Sequence, residues 1–450
     1  MQAKGRTFDE LHVGDHASVQ RTLQPRDLRA WDAAFGAAGA SDQRERDAAG
    51  IVTAILTSLV GTDLPGPGST VRSCTVDVVG PVPVGAPLTA ELSVREKRAA
   101  GGMVVIEGRC TDDTGAATAT AVLKVAAPSV ATMREVPAYR LEGFLDRCRG
   151  LKPMLTGVVH PCSEDALAGA VDAAQAGLIV PVLFGPESEI KQVARTANLD
   201  VSPYRIVTTT GAEDSAEKAA MAAGSGDVKA LMKGSLHTDV MLHAVMQKEA
   251  KLRTGRLLSH CAAISVPTYG RMIVLTDAAL NMAPDTDQKM DICQNAIGCA
   301  RALGIDQPKV AVLAAVETVR TRMQATLDGA ILAKMADRRQ IVGGIVDGPL
   351  DLDAAVDPDA ARTKRISSPV AGHADVLVAP NIEAGNMIYK DLVFMADAQS
   401  AGLVVGARVP MILTSRADTA AARRFSAAAA VLYADALARD PHAIFPETAE

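Results

Sequence analysis

Two folds in series are predicted: an α+β domain in which a curved antiparallel sheet wraps one helix, then an α/β domain built on a doubly wound parallel sheet. Three observations predict them. The chain changes character near residue 130. Before that point apolar residues alternate as in half-buried strands, and after it short apolar runs alternate with helix-like segments. A length of 450 residues with 48% hydrophobic content allows at least two domains with sizeable cores.

In the first region VRSCTVDVV, LTAELSV, MVVIEGRC and TATAVLKVA read as antiparallel strands, since every second side chain can face a core. The turn-rich LPGPGS and PVPVGAP break them. One helix-like stretch, AAGIVTAILTSLVGTDL, lies among them, and a helix so wrapped is a hotdog. Residues 131–140 read as a linker between domains at 1–130 and 141–450. Past Tyr139, TGVVHP, GLIVPVLF, YRIVTT and KALMKG are strand candidates; Ser163 makes a cap before EDALAGAVDAAQAG, and ESEIKQVARTANL follows the second strand. Ligands of such a sheet sit at the carboxyl ends of its strands, where Gly185-Pro186, Lys233-Gly234-Ser235 and Thr414-Ser415 fall.

Composition narrows the partners. A net charge of -6 argues against nucleic acid as the main partner, which would need a basic face. Seven widely spread cysteines without C-x-x-C pairs suggest buried reduced thiols and no disulfide framework. The start, MQAKGRTFDELHVGD, lacks the apolar core of a signal peptide, and no apolar run is long enough to span a bilayer, so a cytoplasmic protein without a membrane partner is expected. The eight histidines show no H-E-x-x-H or paired spacing, and no catalytic metal is expected.

The stretch from Ala374 to Asp418 carries the most chemistry. The apolar run Val376-Leu377-Val378 stops at Pro380-Asn381, and the run Val409 to Leu413 stops at Thr414-Ser415-Arg416-Ala417-Asp418, before an alanine-rich helix. A strand that hands its chain to a helix offers free N–H groups and the positive end of the helix dipole to an anion. Arg416 adds a donor fork suited to phosphate, Ser415 a hydroxyl and Asp418 a carboxylate. The same Ser-x-x-Asp pattern also matches a capping box with no chemistry, and both readings stand on the turn alone. Thr238 or His237 could equally be an ordinary cap, and Arg253 and Arg256 ordinary helix-end charges. Asn386 and Lys390, four apart, share a face if Ala384 onward is helical, in a structural or a substrate-lining role.

That stretch resembles the C-terminal signature of the phosphate acetyl- and butyryltransferases, the phosphotransacetylase family. VPVLFGPESEI, LMKGSLHTDVML, LRTGRLLSH, LTDAALNMAPD, VAVLAAVETV, VDGPLDLDAA and SPVAGHADVLVAPNIEAGNMIYK continue the resemblance over about the last two thirds of the chain. It implies an α/β domain of two lobes, about 141–254 plus 405–450 and about 255–404, with the active site between them. It implies reversible acyl transfer between CoA and inorganic phosphate by a homo-oligomer, with CoA as substrate and no further cofactor. Ser415 would donate to the developing oxyanion, and Arg416 would hold phosphate. The acetyl-specific members place a base Asp seven residues after the Ser, where this chain has Ala422; Asp418 instead follows the butyryltransferase-like pattern as base. Where many members carry Arg this chain has His243, so Arg256 is the substitute candidate, with Lys233, Thr238, Asn386 and Lys390 lining the substrate.

FDELHVGDHASVQRTL, DLRAWDAAFGAAG and GPVPVGAPLTAELSV resemble the MaoC-like branch of R-specific enoyl-CoA hydratases. That family places its catalytic Asp and His in a Gly-Asp-x-Asn-Pro-x-His type loop, whereas this chain reads Gly39-Ala40-Ser41-Asp42-Gln43-Arg44. Hydration needs a positioned acid and base, so an oligomerisation or acyl-CoA-binding module is expected instead. A working hydratase and a catalytically silent CoA-binding scaffold are the rival readings.

Overall fold

The computed structural model describes residues 2–23, 27, 43–130, 133–135, 141–413 and 418–445. They fall into two compact units, Met1–Val136 and Pro137–Glu450.

The first unit is a helix held by a five-stranded antiparallel sheet. Its elements are β1 (His16–Thr22), α1 (Gln43–Thr62), β2 (Thr70–Val78), β3 (Pro87–Arg98), β4 (Met103–Thr111) and β5 (Ala117–Ala126). The sheet order is β1-β3-β4-β5-β2, and every pairing is antiparallel. Alternation decides which face is dry: Leu88, Ala90, Leu92 and Val94 of β3 are buried with Ile106 of β4 and Leu123 of β5. Val52, Leu56, Leu59 and Val60 of α1 belong to the same core. Gly108 lets the helix come close, since a Cβ there would press on the Leu56 side chain. This is the hotdog arrangement. The loop Gly39–Asp42, on which the hydratase comparison turns, lies outside the described residues, as does the Arg44 side chain.

The second unit is built on one sheet of eleven strands. In chain order these are β6 (Met154–Val159), β7 (Ile179–Gly185), β8 (Arg205–Thr208), β9 (Ala230–Lys233), β10 (Ser259–Ser265), β11 (Met272–Thr276), β12 (Lys309–Leu313), β13 (Ile345–Leu350), β14 (Val376–Val378), β15 (Gln399–Val405) and β16 (Met411–Ile412). Their order is β8-β7-β6-β9-β16-β15-β10-β11-β14-β12-β13. The sheet is rich in parallel pairs but not parallel throughout. The block β8-β7-β6-β9-β16 and the block β11-β14-β12-β13 are each parallel, and β15 and β10 join them through antiparallel pairs. Link length is the reason. Val266–Arg271 and Gly406–Pro410 are too short for a crossover, so each can close only a hairpin.

Helices cover both faces. Those used below are α2 (Glu164–Gln175), α3 (Glu187–Thr196), α4 (Ala212–Ser225), α5 (Thr238–Val245), α6 (Thr286–Ala302), α7 (Gln324–Asp337), α8 (Ile382–Phe394) and α9 (Ala420–Arg439). The alanine run of α9 from Ala427 to Ala430 is fully buried, small enough to lie flat in a core shared with Leu167 of α2 and Cys293 and Ile297 of α6. Arg424 fixes α9 to α2 by a two-pronged bond to Asp172, at 2.9 and 2.7 Å. Lys289 of α6 pairs with Asp328 of α7 at 2.5 Å in the interior, and Thr286 and Gln324 donate to the same carboxylate. Among the described residues no helix is long and apolar enough to cross a membrane.

Candidate active site

Strand β16 ends at Ile412, and Thr414, Ser415, Arg416 and Ala417 lie outside the described residues. The residues that bracket them are placed. Leu413 donates its N–H to the Gly402 carbonyl of β15. On the other side the register Met232↔Ile412 sets Lys233, the last residue of β9, level with Leu413. Lys233 therefore stands beside Leu413, the last described residue before Ser415 and Arg416. Gly234 is small for a reason other than substrate approach: a Cβ there would overlap the Val159 and His160 carbonyl oxygens. Thr238 is the first residue of α5, and His237, at the cap position, makes no side-chain cap bond.

After these residues, Asp418 is half-buried, and α9 begins at Ala420. The cap of α9 is Thr419, whose Oγ1 accepts the Ala422 N–H at 3.1 Å. The capping-box alternative for Ser415 and Asp418 is therefore not what starts this helix. Thr419→Ala is expected to cost about 1 kcal/mol of stability. Urea unfolding checks this, and an unchanged midpoint would show that the hydroxyl contributes nothing to the helix start.

Helix α8 brings the family-like segment NIEAGNMIYK to the sheet. Asn381 caps it, accepting the Ala384 N–H at 2.9 Å. Gly385 then allows the helix to lie on the turn after β11, because any Cβ would overlap the Asp277 carbonyl oxygen. Asn386 donates to the Ala278 carbonyl of that turn at 3.1 Å. Asp277 organises the turn: Oδ1 accepts the N–H groups of Ala279 and Leu280 at 2.8 and 2.9 Å, and Oδ2 accepts from Asn281 Nδ2 at 2.6 Å and the His260 N–H at 3.1 Å.

One helical turn past Asn386 a polar group lies under α8. The Tyr389 hydroxyl is 3.0 Å from Ser400 Oγ, and its ring meets the His260 ring edge-on at 6.4 Å between centroids. Burial pushes the Tyr389 phenol above its ordinary range, the Asp418 charge adds to this, and the Ser400 bond opposes it. Burial holds the His260 imidazole low against the countering charge of Asp277. Tyr389 thus stays protonated and His260 neutral near pH 7. His260 Nδ1 has no hydrogen-bond partner among the described residues. A protonated phenol and a neutral imidazole therefore pack together under α8, within reach of the Asp418 charge.

Two further candidates make contacts of their own. Arg256 donates to the Ile444 carbonyl at 3.3 Å and lies over the Phe445 ring at 5.1 Å, with its pKa lowered by burial. That bond joins it to the short helix Pro441–Ile444. Lys390 is exposed, its ammonium over the Phe394 ring at 5.5 Å. His243 is exposed beside Gln247, Nε2 to Nε2 at 2.7 Å. Sequence reasoning did not single out Asp277, His260, Tyr389 or Ser400. The first three stand inside blocks it quoted, LTDAALNMAPD, LRTGRLLSH and GNMIYK, and that was their signal.

Comparison with known proteins agrees with these blocks. The family described as phosphate acetyl/butaryl transferase matches residues 209–431. The phosphate acetyltransferase of Rhizobium meliloti is 48% identical over 295 residues, 66% of this chain and 93% of that protein. The phosphate butyryltransferase of Clostridium acetobutylicum is 40% identical over 271 residues, 60% of this chain and 90% of that one. A branched-chain phosphotransacylase from Enterococcus faecalis V583 superimposes with a TM-score of 0.56 at 28% identity, over 62% of this chain and 99% of its own. With most of each relative's length matched, the chain belongs to the phosphate acetyl/butyryl transferase family.

Proposed function

We propose that the protein transfers a short acyl group reversibly between CoA and inorganic phosphate, acyl-CoA plus phosphate giving acyl phosphate plus CoA. The observation that carries this reading is the 48% identity to a phosphate acetyltransferase over 93% of its length. A phosphate oxygen attacks the thioester carbonyl carbon, the C=O pair moves to oxygen, and collapse of the tetrahedral intermediate breaks the C–S bond. CoA leaves as thiolate and takes up a proton; in reverse its S–H proton must be removed. Arg416 holds phosphate, Ser415 donates to the oxyanion, and Asp418 exchanges the thiol proton. Lys233, level with Leu413, adds a cation for the phosphate, and Thr238, Asn386 and Lys390 line the substrate. The two lobes, about 141–254 with 405–450 and about 255–404, enclose the substrates. Arg256, the substitute for the arginine that many members carry where this chain has His243, binds phosphate or CoA in this scheme.

The first unit serves assembly of a cytoplasmic homo-oligomer or acyl-CoA binding, without hydratase turnover. A CoA-release assay with acetyl-, propionyl- and butyryl-CoA, with and without phosphate, tests the whole reading. Phosphate-dependent release with an equal yield of acyl phosphate is expected, and crotonyl-CoA is expected to persist without phosphate. Rapid hydration of crotonyl-CoA with no phosphate-dependent release would replace this reading with the hydratase.

A further inference from the structure

A second cluster lies at the carboxyl ends of β6, β7 and β8 and uses none of the residues assigned to acyl transfer. His160 follows β6 directly, with a left-handed φ of 53° that turns the chain at the strand end. Cys162 comes two residues later, its N–H donating to Ser235 Oγ at 3.0 Å, and that hydroxyl donates to the His160 carbonyl at 2.8 Å. Glu189 reaches in from the first turn of α3. One ligand atom from each of these three side chains lies within 4.8 Å of the other two, and His160 Nδ1 is 3.7 Å from Cys162 Sγ. Ser215 Oγ of α4 stands 3.4 Å from the same nitrogen and 2.7 Å from Thr209 Oγ1.

A nucleophilic or redox thiol does not suit this place. The neighbour of Cys162 is the Glu189 carboxylate, whereas reactive thiols sit near positive charge. We propose that His160, Cys162 and Glu189 bind one divalent ion of borderline softness, of which zinc is the best fit. One imidazole nitrogen, one sulfur and one carboxylate are a zinc donor set, and tetrahedral zinc with bonds of about 2.0–2.3 Å holds its ligands roughly 3.5 Å apart. The observed spacing needs only small side-chain movement to reach that. A water completes the fourth position, with the Ser215 and Thr209 hydroxyls at hand to hold it. The spacing hid the site from sequence reasoning: the close pair is His-x-Cys, and the third ligand belongs to the next strand–helix unit.

The test uses the full-length protein, stripped with a chelator and dialysed, then titrated with zinc against a chromogenic competitor. One ion per chain is expected, with affinity falling about tenfold or more in Cys162→Ser and His160→Gln, at least what loss of a supporting residue costs. Zinc should raise the melting temperature of the wild type and not of Cys162→Ser. The cobalt-loaded protein should show a thiolate-to-cobalt absorption band that Cys162→Ser abolishes and Cys74→Ser retains. Glu189→Gln changes an exposed side chain, so it reads the site even if the other two variants fold poorly. Zinc affinity unchanged in Glu189→Gln and Cys162→Ser, or a cobalt form without the thiolate band, would overturn the assignment.

Discussion

Arg416→Ala is expected to lower kcat/KM for phosphate by roughly ten- to a hundredfold while the protein keeps its melting temperature. A charge-assisted bond to phosphate contributes about 1.5–3 kcal/mol, and its loss appears in transition-state stabilisation relative to free enzyme and phosphate. Lysine is an informative companion, because it restores the charge without the fork, so Arg416→Lys should recover part of the loss. Steady-state kinetics with phosphate varied at saturating acyl-CoA decide the matter. Unchanged phosphate kinetics in the alanine variant would remove Arg416 from the site.

Ser415→Ala should slow turnover by about 10²–10³-fold, the effect of deleting an oxyanion donor worth roughly 3–4 kcal/mol of barrier. A lost helix cap would instead cost about 1 kcal/mol of stability and leave the chemistry alone. The structure sharpens this contrast, because Thr419 holds the cap of α9. Ser415→Ala and Ser415→Gly should therefore both melt near the wild type and both be slow. A glycine variant with normal turnover would leave catalysis to Arg416 and the helix end.

Much of the fold was legible in the sequence because it rests on local periodicity. The alternation in LTAELSV and TATAVLKVA is the alternation of buried and exposed residues in β3 and β5. The reversal of direction at β10 and β15 was less visible, since a fully buried strand such as Ser259–Ser265 reads the same whichever way its neighbours run. Only the short links before and after reveal it. At the site, residue types and strand ends could be read, but not partners. Tyr389, Ser400 and His260 meet from three separate elements, and no local pattern announces such a meeting. Arg256 shows the same limit: it stands beside a glycine in a family-like block, and its contacts with Ile444 and Phe445 come from a segment far away in the sequence.

The strand order also bears on how the chain is made. Strand β16 completes the parallel block that starts with β6, and α9 fills a core that holds residues from both blocks, yet both come from the last part of the chain. On the ribosome, the early strands must wait with the edge of β9 unpaired until β16 has emerged. Such long-range closure is slow and leaves sticky edges open to other chains in the meantime. Without the segment Ala420–Arg439 the core would lack the buried alanine run altogether, so closure of the second unit depends on a helix far in sequence from the strands that it covers.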